Sequence, residues 1–148
     1  MTRTQYKVKT AARLLLGAVF TVFGLNGFLH FLPAPPPSGL AAVFVGGLAA
    51  SGYMFPLIKG TEVVVGLLLL SNRFVPLALT ILAPVVVNIL AFHLFLAPAG
   101  LALPLIVTAL GIYLATTERA TFAPLLHAKS TEAVPVSQRP VADAAAHA

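Results

Sequence analysis

Four apolar segments follow one another along the chain, separated by short breaks that contain proline, glycine or charged residues. They run over about 11–32, 56–71, 76–96 and 101–117. Because a helix of roughly 20 apolar residues crosses the hydrocarbon of a bilayer, each segment is predicted to be a membrane span, although the second and fourth are short. The pattern predicts an all-α integral membrane protein built as an antiparallel four-helix bundle.

The stretch between the first two spans needs a separate interpretation. Residues 33–38 are rich in proline and cannot form a helix interior, whereas residues 40–55 are apolar and glycine-rich. A fifth span is conceivable, but cytoplasmic loops collect Lys and Arg, and only four spans place the basic N-terminus, Arg73 and Arg119 on one side. We therefore expect 40–55 to be a short helix that lies in the outer interface or re-enters it, with both termini cytoplasmic.

Composition agrees with a lipid environment. Hydrophobic residues make up 59% of the chain and charged residues 9%, against roughly 25% charged in soluble domains. The net charge of +5 could suggest nucleic acid, but Arg3, Lys7, Lys9 and Arg13 precede or open the first span, where anionic lipid headgroups would meet them. No nucleic-acid motif is present, so the expected partner is the bilayer. Residues 118–148 are polar and are predicted to form a disordered cytoplasmic tail.

Several kinds of chemistry are excluded by what the sequence lacks. The chain has no cysteine, which rules out thiol exchange, thiolate metal sites and iron–sulfur clusters held by its own residues. It also lacks a P-loop, a nucleophile elbow, a dinucleotide fingerprint and a zincin motif. A stand-alone catalytic activity is therefore not expected, and redox chemistry would need a bound cofactor or a partner protein.

Polar side chains recur near the outer end of three spans. An ionised group in hydrocarbon costs roughly 2.5–3.5 kcal/mol, so such residues tend to be paired and functional. Counted at about 1.5 Å per residue from the outer helix ends, they share one layer of the outer leaflet. The candidates for a ligand or proton site are Asn26, His30, Lys59, Glu62, Asn88 and His93.

More than one role is open for each of these groups. Glu62 either pairs with Lys59 to hold the helices in register or accepts a proton or a ligand's hydrogen bond. The two histidines could be hydrogen-bonded interface residues, contacts for a ligand such as a quinone head group, or ligands of a metal or haem. Two histidines are weak evidence for a metal, so neither metal nor haem is expected. The two asparagines are typical of hydrogen bonds between helices.

Small residues at helical spacing predict where the spans approach each other closely. They are Gly17, Thr21 and Gly24 in the first span, Gly60 and Gly66 in the second, and Gly111 and Ala115 in the fourth.

Taken together, the polar and glycine residues that interrupt the apolar spans form a pattern that resembles the DoxX family of small bacterial and archaeal membrane proteins. The residues that carry the resemblance are Arg13-Leu-Leu-Leu-Gly17, Gly27-Phe-Leu-His-Phe31, Glu62, Gly66-Leu-Leu-Leu-Leu70, and Asn88 through Phe92-His93 to Pro98-Ala-Gly100. The resemblance implies a four-helix protein of the cell membrane. It also implies association with membrane oxidoreductases, since the family is named for subunits linked to quinone-coupled sulfur oxidation. Glu62 and His93 are the positions that carry over.

These patterns lead to one leading hypothesis and two rivals. The leading one is an accessory subunit of a membrane redox system that binds a small amphipathic ligand, such as quinone, in an outer-leaflet pocket. The first three spans would line this pocket and 40–55 would cover it. One rival is a scaffold or assembly factor whose polar residues serve helix packing. The other is a small transporter or proton path, which would need polar residues toward the cytoplasm, where only Thr21, Thr80 and Thr108 occur.

Overall fold

The computed structural model describes residues 2–33 and 35–126, and every regular element in that part of the chain is helical. The prediction of an all-helical chain is confirmed for these residues. The α-helices are α1 (Arg3–Leu29), α2 (Gly39–Ala50), α3 (Met54–Leu70), α4 (Val75–Phe95), α5 (Ala102–Thr117) and α6 (Arg119–Phe122), with 3-10 turns at Pro98–Gly100 and Ala123–Leu126.

The predicted tail at 118–148 begins differently from expectation. Residues 119–126 are helical, and the side chain of Phe122 packs against the hydrophobic core. This helical stretch is too short to produce a periodic pattern of apolar residues in the sequence. Residues 127–148 lie outside the described part of the chain.

The first helix starts at Arg3, well before the predicted position near residue 11. A capping box explains this start: the Thr2 hydroxyl accepts a hydrogen bond from the Gln5 amide at 3.3 Å, and the Gln5 side chain accepts one from the Thr2 amide at 2.8 Å. Because the opening turns are polar, a hydrophobic pattern does not detect them. The helix ends at Leu29, and His30 follows in a left-handed conformation with φ of 52°.

A sharp turn separates α2 from α3, whose axes differ in direction by 90°. The apolar stretch 40–55 thus consists of helix α2, a turn after Ala50 and the first residues of α3. The turn is made by Gly52, which has φ of +75°, and by Ser51, whose hydroxyl forms hydrogen bonds on both sides of it. The Ser51 hydroxyl donates to the Leu48 carbonyl at 2.7 Å and accepts from the Met54 amide at 3.0 Å.

The most extensive helix contact joins α1 and α3, and glycine makes it possible. A Cβ atom added to Gly17 would lie 3.0 Å from the Gly66 carbonyl oxygen, and one added to Gly66 would lie 2.6 Å from the Thr21 amide nitrogen. Gly60 and Gly111, in contrast, face open space with nothing within 4 Å of an added Cβ. The predicted close contact is therefore confirmed at Gly17 and Gly66 and wrong for Gly60 and Gly111, because spacing alone does not tell which face of a helix meets a neighbour.

Arg13 fixes the relative direction of α1 and α3. Its guanidinium donates to the carbonyl oxygens of Leu69 and Leu70, the latter at 3.1 Å, so the start of α1 lies beside the end of α3. The last turn of α3 has no basic residue of its own, and Arg13 supplies a cation that hydrogen-bonds its last two carbonyls. The side chain is only 8% exposed, so the expectation that it meets lipid headgroups is wrong.

An ion pair places the start of α1 beside the end of α5. Lys9 Nζ lies 2.6 Å from Glu118 Oε1, and Glu118 is the C-cap of α5. Beyond this end of the molecule, α1, α3, α4 and α5 share one hydrophobic core. Its most deeply buried members include Leu16, Val65, Leu69, Ala78, Leu82, Val107 and Leu114.

In the part of the chain that the structure describes, two helices could cross a membrane by length and composition. They are α1 and α4, and a third crossing is possible if the bent pair of α2 and α3 is counted as one broken span. Helix α5 is apolar but has only 16 residues.

Candidate functional site

The centre of the site is an ion pair on α3. Lys59 and Glu62 are three residues apart and therefore lie on the same face of the helix, with Lys59 Nζ 2.8 Å from Glu62 Oε2. Glu62 is only 2% exposed. The ammonium also lies 5.9 Å from the centroid of the Phe55 ring, within range of a cation–π interaction. The carboxylate is thus enclosed by protein while its partner keeps contact with the surroundings.

Two glycines of α1 let this helix lie directly against the pair. A Cβ added to Gly24 would come within 3.1 Å of the Glu62 Cβ, and one added to Gly27 would collide with the aliphatic stem of Lys59. The stem runs across the bare backbone at Gly27 before the ammonium turns to Glu62. The predicted close approach at Gly24 is confirmed. The contact at Gly27 was not predicted, because a glycine near a helix end is usually a termination signal.

His93 enters the site from α4 with one ring nitrogen already committed. Its Nδ1 lies 2.8 Å from the Ile89 carbonyl oxygen. A carbonyl can only accept, so Nδ1 carries the hydrogen, and Nε2 of the neutral ring is left as an acceptor. The ring rests on Gly100, where an added Cβ would lie 2.8 Å from Cδ2 and 3.1 Å from Nε2.

Two cavities meet at these residues. Cavity A, about 260 Å³, lies between α1, α3, α4 and α5, and cavity B, about 340 Å³, lies between α2, α3 and α4. Their shared wall consists of Lys59, Glu62, Ile89 and His93. The remaining lining of cavity A is formed by apolar side chains and Gly100. The polar groups therefore form a partition between two largely apolar spaces.

Helix α2 closes one side of cavity B. Phe44, Val45 and Leu48 of this helix line the cavity, and the Phe44 ring packs on Phe92 with centroids 5.6 Å apart. The segment predicted as a cover thus contacts the site through its aromatic side chain.

The other predicted site residues take different positions. Asn88 is exposed and lines cavity B together with Glu62 and His93. Asn26 forms a local bond instead of a contact between helices, since its side-chain oxygen accepts from the Leu32 amide at 2.6 Å. His30 is exposed at the C-cap of α1 and lines neither cavity. The predicted single polar layer is thus divided, because Asn26, in the last turn of α1, bonds to the chain that follows the helix, and His30 is the cap of that helix.

Part of cavity A could not be foreseen from the polar pattern. Leu103, Pro104 and Val107 of α5 form one of its walls, although the first six residues of that helix are all apolar. The sequence feature that could have indicated this wall is the Pro98-Ala-Gly100 turn, which directly precedes α5 and brings Gly100 against the imidazole of His93.

Among the described residues, no group of three or more His, Cys, Asp or Glu side chains is arranged to hold a metal ion. Comparisons with protein-family models, with curated proteins and with solved structures find no match to this chain. The DoxX resemblance stays a prediction that rests on the sequence motifs.

Proposed function

We propose that this chain is a four-span membrane protein with α1, α3, α4 and α5 as crossings and α2 in the outer interface. The apolar outer surface supports this arrangement: Leu57, Val87, Phe95 and Ile112 are each more than half exposed, which water would disfavour and lipid would not. The right angle between α2 and α3 also supports this arrangement, in which an interfacial helix meets a crossing helix.

Charge gives this arrangement its orientation. The Lys9–Glu118 pair and the Arg13 contact gather the start of α1 and the ends of α3 and α5 at one end of the molecule. Arg73, in the turn between α3 and α4, lies at the same end. The tendency of Lys and Arg to remain inside supports placing this basic end in the cytoplasm. The DoxX resemblance supports a bacterial or archaeal cell membrane.

The function that the geometry supports best is binding of a small amphipathic molecule at the partition between cavities A and B. One observation carries the proposal: an enclosed carboxylate, its ammonium partner and an imidazole share a wall with two apolar spaces. Small-molecule sites combine apolar walls with a few convergent polar groups in this way. Glu62 would bond the head group, Lys59 would hold the carboxylate's charge, and His93 would supply a second contact.

The setting we propose is an accessory subunit of a membrane redox system, with quinone as the type of ligand. The DoxX resemblance supports this setting. The absence of cysteine from the chain fits it, because electrons would have to be carried by a ligand or a partner oxidoreductase rather than by thiols.

A Glu62→Gln variant tests the proposal. We expect the full-length protein in lipid nanodiscs to bind a short-chain benzoquinone or its reduced form, and the variant to lose affinity about tenfold or more, since a hydrogen bond to a charged group contributes roughly 1.5–3 kcal/mol. Isothermal titration calorimetry measures both affinities.

Glu118→Gln is the matched control. It makes the same chemical change in an ion pair at the opposite end of α1, outside both cavities, and should leave binding intact. Equal affinity of the wild-type protein and Glu62→Gln, or no binding to either, would refute the proposal.

A scaffold remains the second candidate, and one observation favours it. Within the described residues, every buried side-chain nitrogen and oxygen has a hydrogen-bond partner, as packing alone would require. This alternative expects Glu62→Gln to lower thermal stability with no ligand effect.

A proton path is not favoured. The hydroxyls of Thr21, Thr80 and Thr108 each donate to a carbonyl four residues earlier in their own helix, at 2.7–2.9 Å. They therefore provide no continuous polar route through the cytoplasmic half.

A further inference from the structure

The hydrogen-bonding capacity of the partition between the cavities restricts the kind of head group that it can accommodate. Lys59 donates to Glu62 Oε2 at 2.8 Å. Among the described residues no hydrogen bond reaches Oε1, and no buried side-chain oxygen is left without a partner, so Oε1 must be open to cavity space. An ionised carboxylate only accepts hydrogen bonds, so a ligand bound next to Oε1 has to donate one.

His93 adds a second acceptor on the same side. Its Nδ1 hydrogen is used by the Ile89 carbonyl, which leaves the lone pair of Nε2 beside Gly100 in the lining of cavity A. Glu62 belongs to the same lining. The lining of cavity A thus includes two acceptor side chains, Glu62 and His93, and the Lys59 ammonium as a donor.

We infer that the head group bound at this site is a hydroxylated ring, a hydroquinone or a similar dihydroxyarene, in preference to the oxidised quinone. This inference rests on the proposed function and specifies its ligand class. A hydroxyl donates and also accepts, so two hydroxyls can satisfy Glu62 Oε1 and His93 Nε2 while one of their oxygens accepts from Lys59. A quinone carbonyl only accepts and would leave both acceptors facing it without a donor.

The size of the cavity agrees with a small head group. At about 260 Å³, cavity A is near the lower end of the range for small-molecule sites, roughly 300 Å³. It therefore suits a single ring, enclosed by Phe20 and Leu103 among its apolar lining.

Three probes with the same ring and the same short alkyl tail test the inference: the hydroquinone, the quinone and the hydroquinone dimethyl ether. Affinities are measured calorimetrically with the full-length protein in nanodiscs, without oxygen. We expect the hydroquinone to bind at least tenfold more tightly than the other two. The ether has no hydroxyl hydrogens, so it separates hydrogen bonding from shape.

Variants locate the preference. His93→Phe keeps an aromatic ring but removes Nε2, and it should reduce the hydroquinone affinity severalfold while changing quinone affinity little. Glu62→Gln should also reduce the preference, and Glu118→Gln should leave it unchanged. The comparison of the three probes on the wild-type protein needs no variant, so it decides the matter even if a substituted chain fails to fold.

The outcomes distinguish this inference from the proposed function. A quinone that binds as tightly as the hydroquinone, in a manner that depends on Glu62, overturns the preference for hydroxyl groups and leaves the binding site standing. Absence of binding by all three probes overturns both. Equal uptake of all three that is insensitive to every variant reflects partition into lipid, and it also overturns both.

Discussion

At the scale of single residues, the imidazole at the site is positioned by a neighbour without a side chain. Gly100 lies directly against the ring of His93, and a methyl group there would approach Cδ2 to 2.8 Å. Gly100 does not have a positive φ, so the backbone accepts alanine and only the ring has to move. A substitution at Gly100 therefore moves the imidazole of His93 without changing its chemical groups.

Gly100→Ala should weaken ligand binding without unfolding the protein. Pushing the ring off its rotamer costs on the order of 0.5–1.5 kcal/mol, which corresponds to a loss of affinity of up to about tenfold. Calorimetric titration with the hydroquinone probe measures it. Gly46→Ala is the control because an added Cβ there meets nothing within 4 Å; identical affinities for the two variants would show that ring position is irrelevant.

The sequence predicted part of the site, and the reasons for the failures are local. Lys59, Glu62 and His93 were predicted to lie at the same depth, and they line the same cavity. The prediction worked for them because α3 and α4 are regular helices at these positions. It failed for His30, which caps the end of α1 in a left-handed conformation. It could not find the role of Arg13, whose acceptors are carbonyls 56 and 57 residues further along the chain.

At the scale of elements, the contact between α1 and α3 decides how closely the ion pair is covered. The two backbones approach through Gly17, Gly24 and Gly66, and Glu62 lies one turn from Gly66 on α3. In lipid, such close packing replaces the hydrophobic effect as the force between helices.

Gly66→Ala should destabilise the protein, and Gly60→Ala should not, although both glycines are in α3. At Gly66 the new methyl would lie 2.6 Å from the Thr21 amide nitrogen, so α1 must move away at a cost of roughly 1–3 kcal/mol. At Gly60 there is open space, and alanine favours the helix by up to about 1 kcal/mol. Unfolding in detergent, followed by circular dichroism, compares them. Equal loss of stability in both would contradict the close contact.

The ends of the elements show which signals a sequence carries. Helices α3, α4 and α5 begin and end within two residues of the apolar segments, since the breaks contain polar residues, proline or glycine. The turn at Ser51 and Gly52 was invisible in an unbroken apolar run, because its cause is a left-handed glycine and a serine hydroxyl rather than a change in hydropathy.

At the scale of the whole molecule, the proposed four crossings imply that alternate connections lie on opposite sides of the membrane. The stretch before α2 would be outside and the turn between α3 and α4 inside. The natural chain has no cysteine, so one introduced thiol reports one position without interference.

Ser38→Cys and Ser71→Cys test this arrangement. Both serines are exposed, and they lie on the two kinds of connection. In intact cells a membrane-impermeant maleimide should label the cysteine at position 38, and the cysteine at position 71 should react only after lysis. The cysteine-free parent is the control for background labelling. Labelling of both from the same side would exclude a crossing by α3 alone between them.

The contact between Arg13 and the end of α3 also bears on biogenesis. In the proposed arrangement α1 enters the bilayer before Leu69 and Leu70 have been synthesised, so its guanidinium first has only water and phosphate groups to bond. The carbonyl partners arrive when α3 is complete. In this arrangement the guanidinium gains its protein partners only when α3 packs against α1, so a chain truncated before Leu69 would leave Arg13 without them.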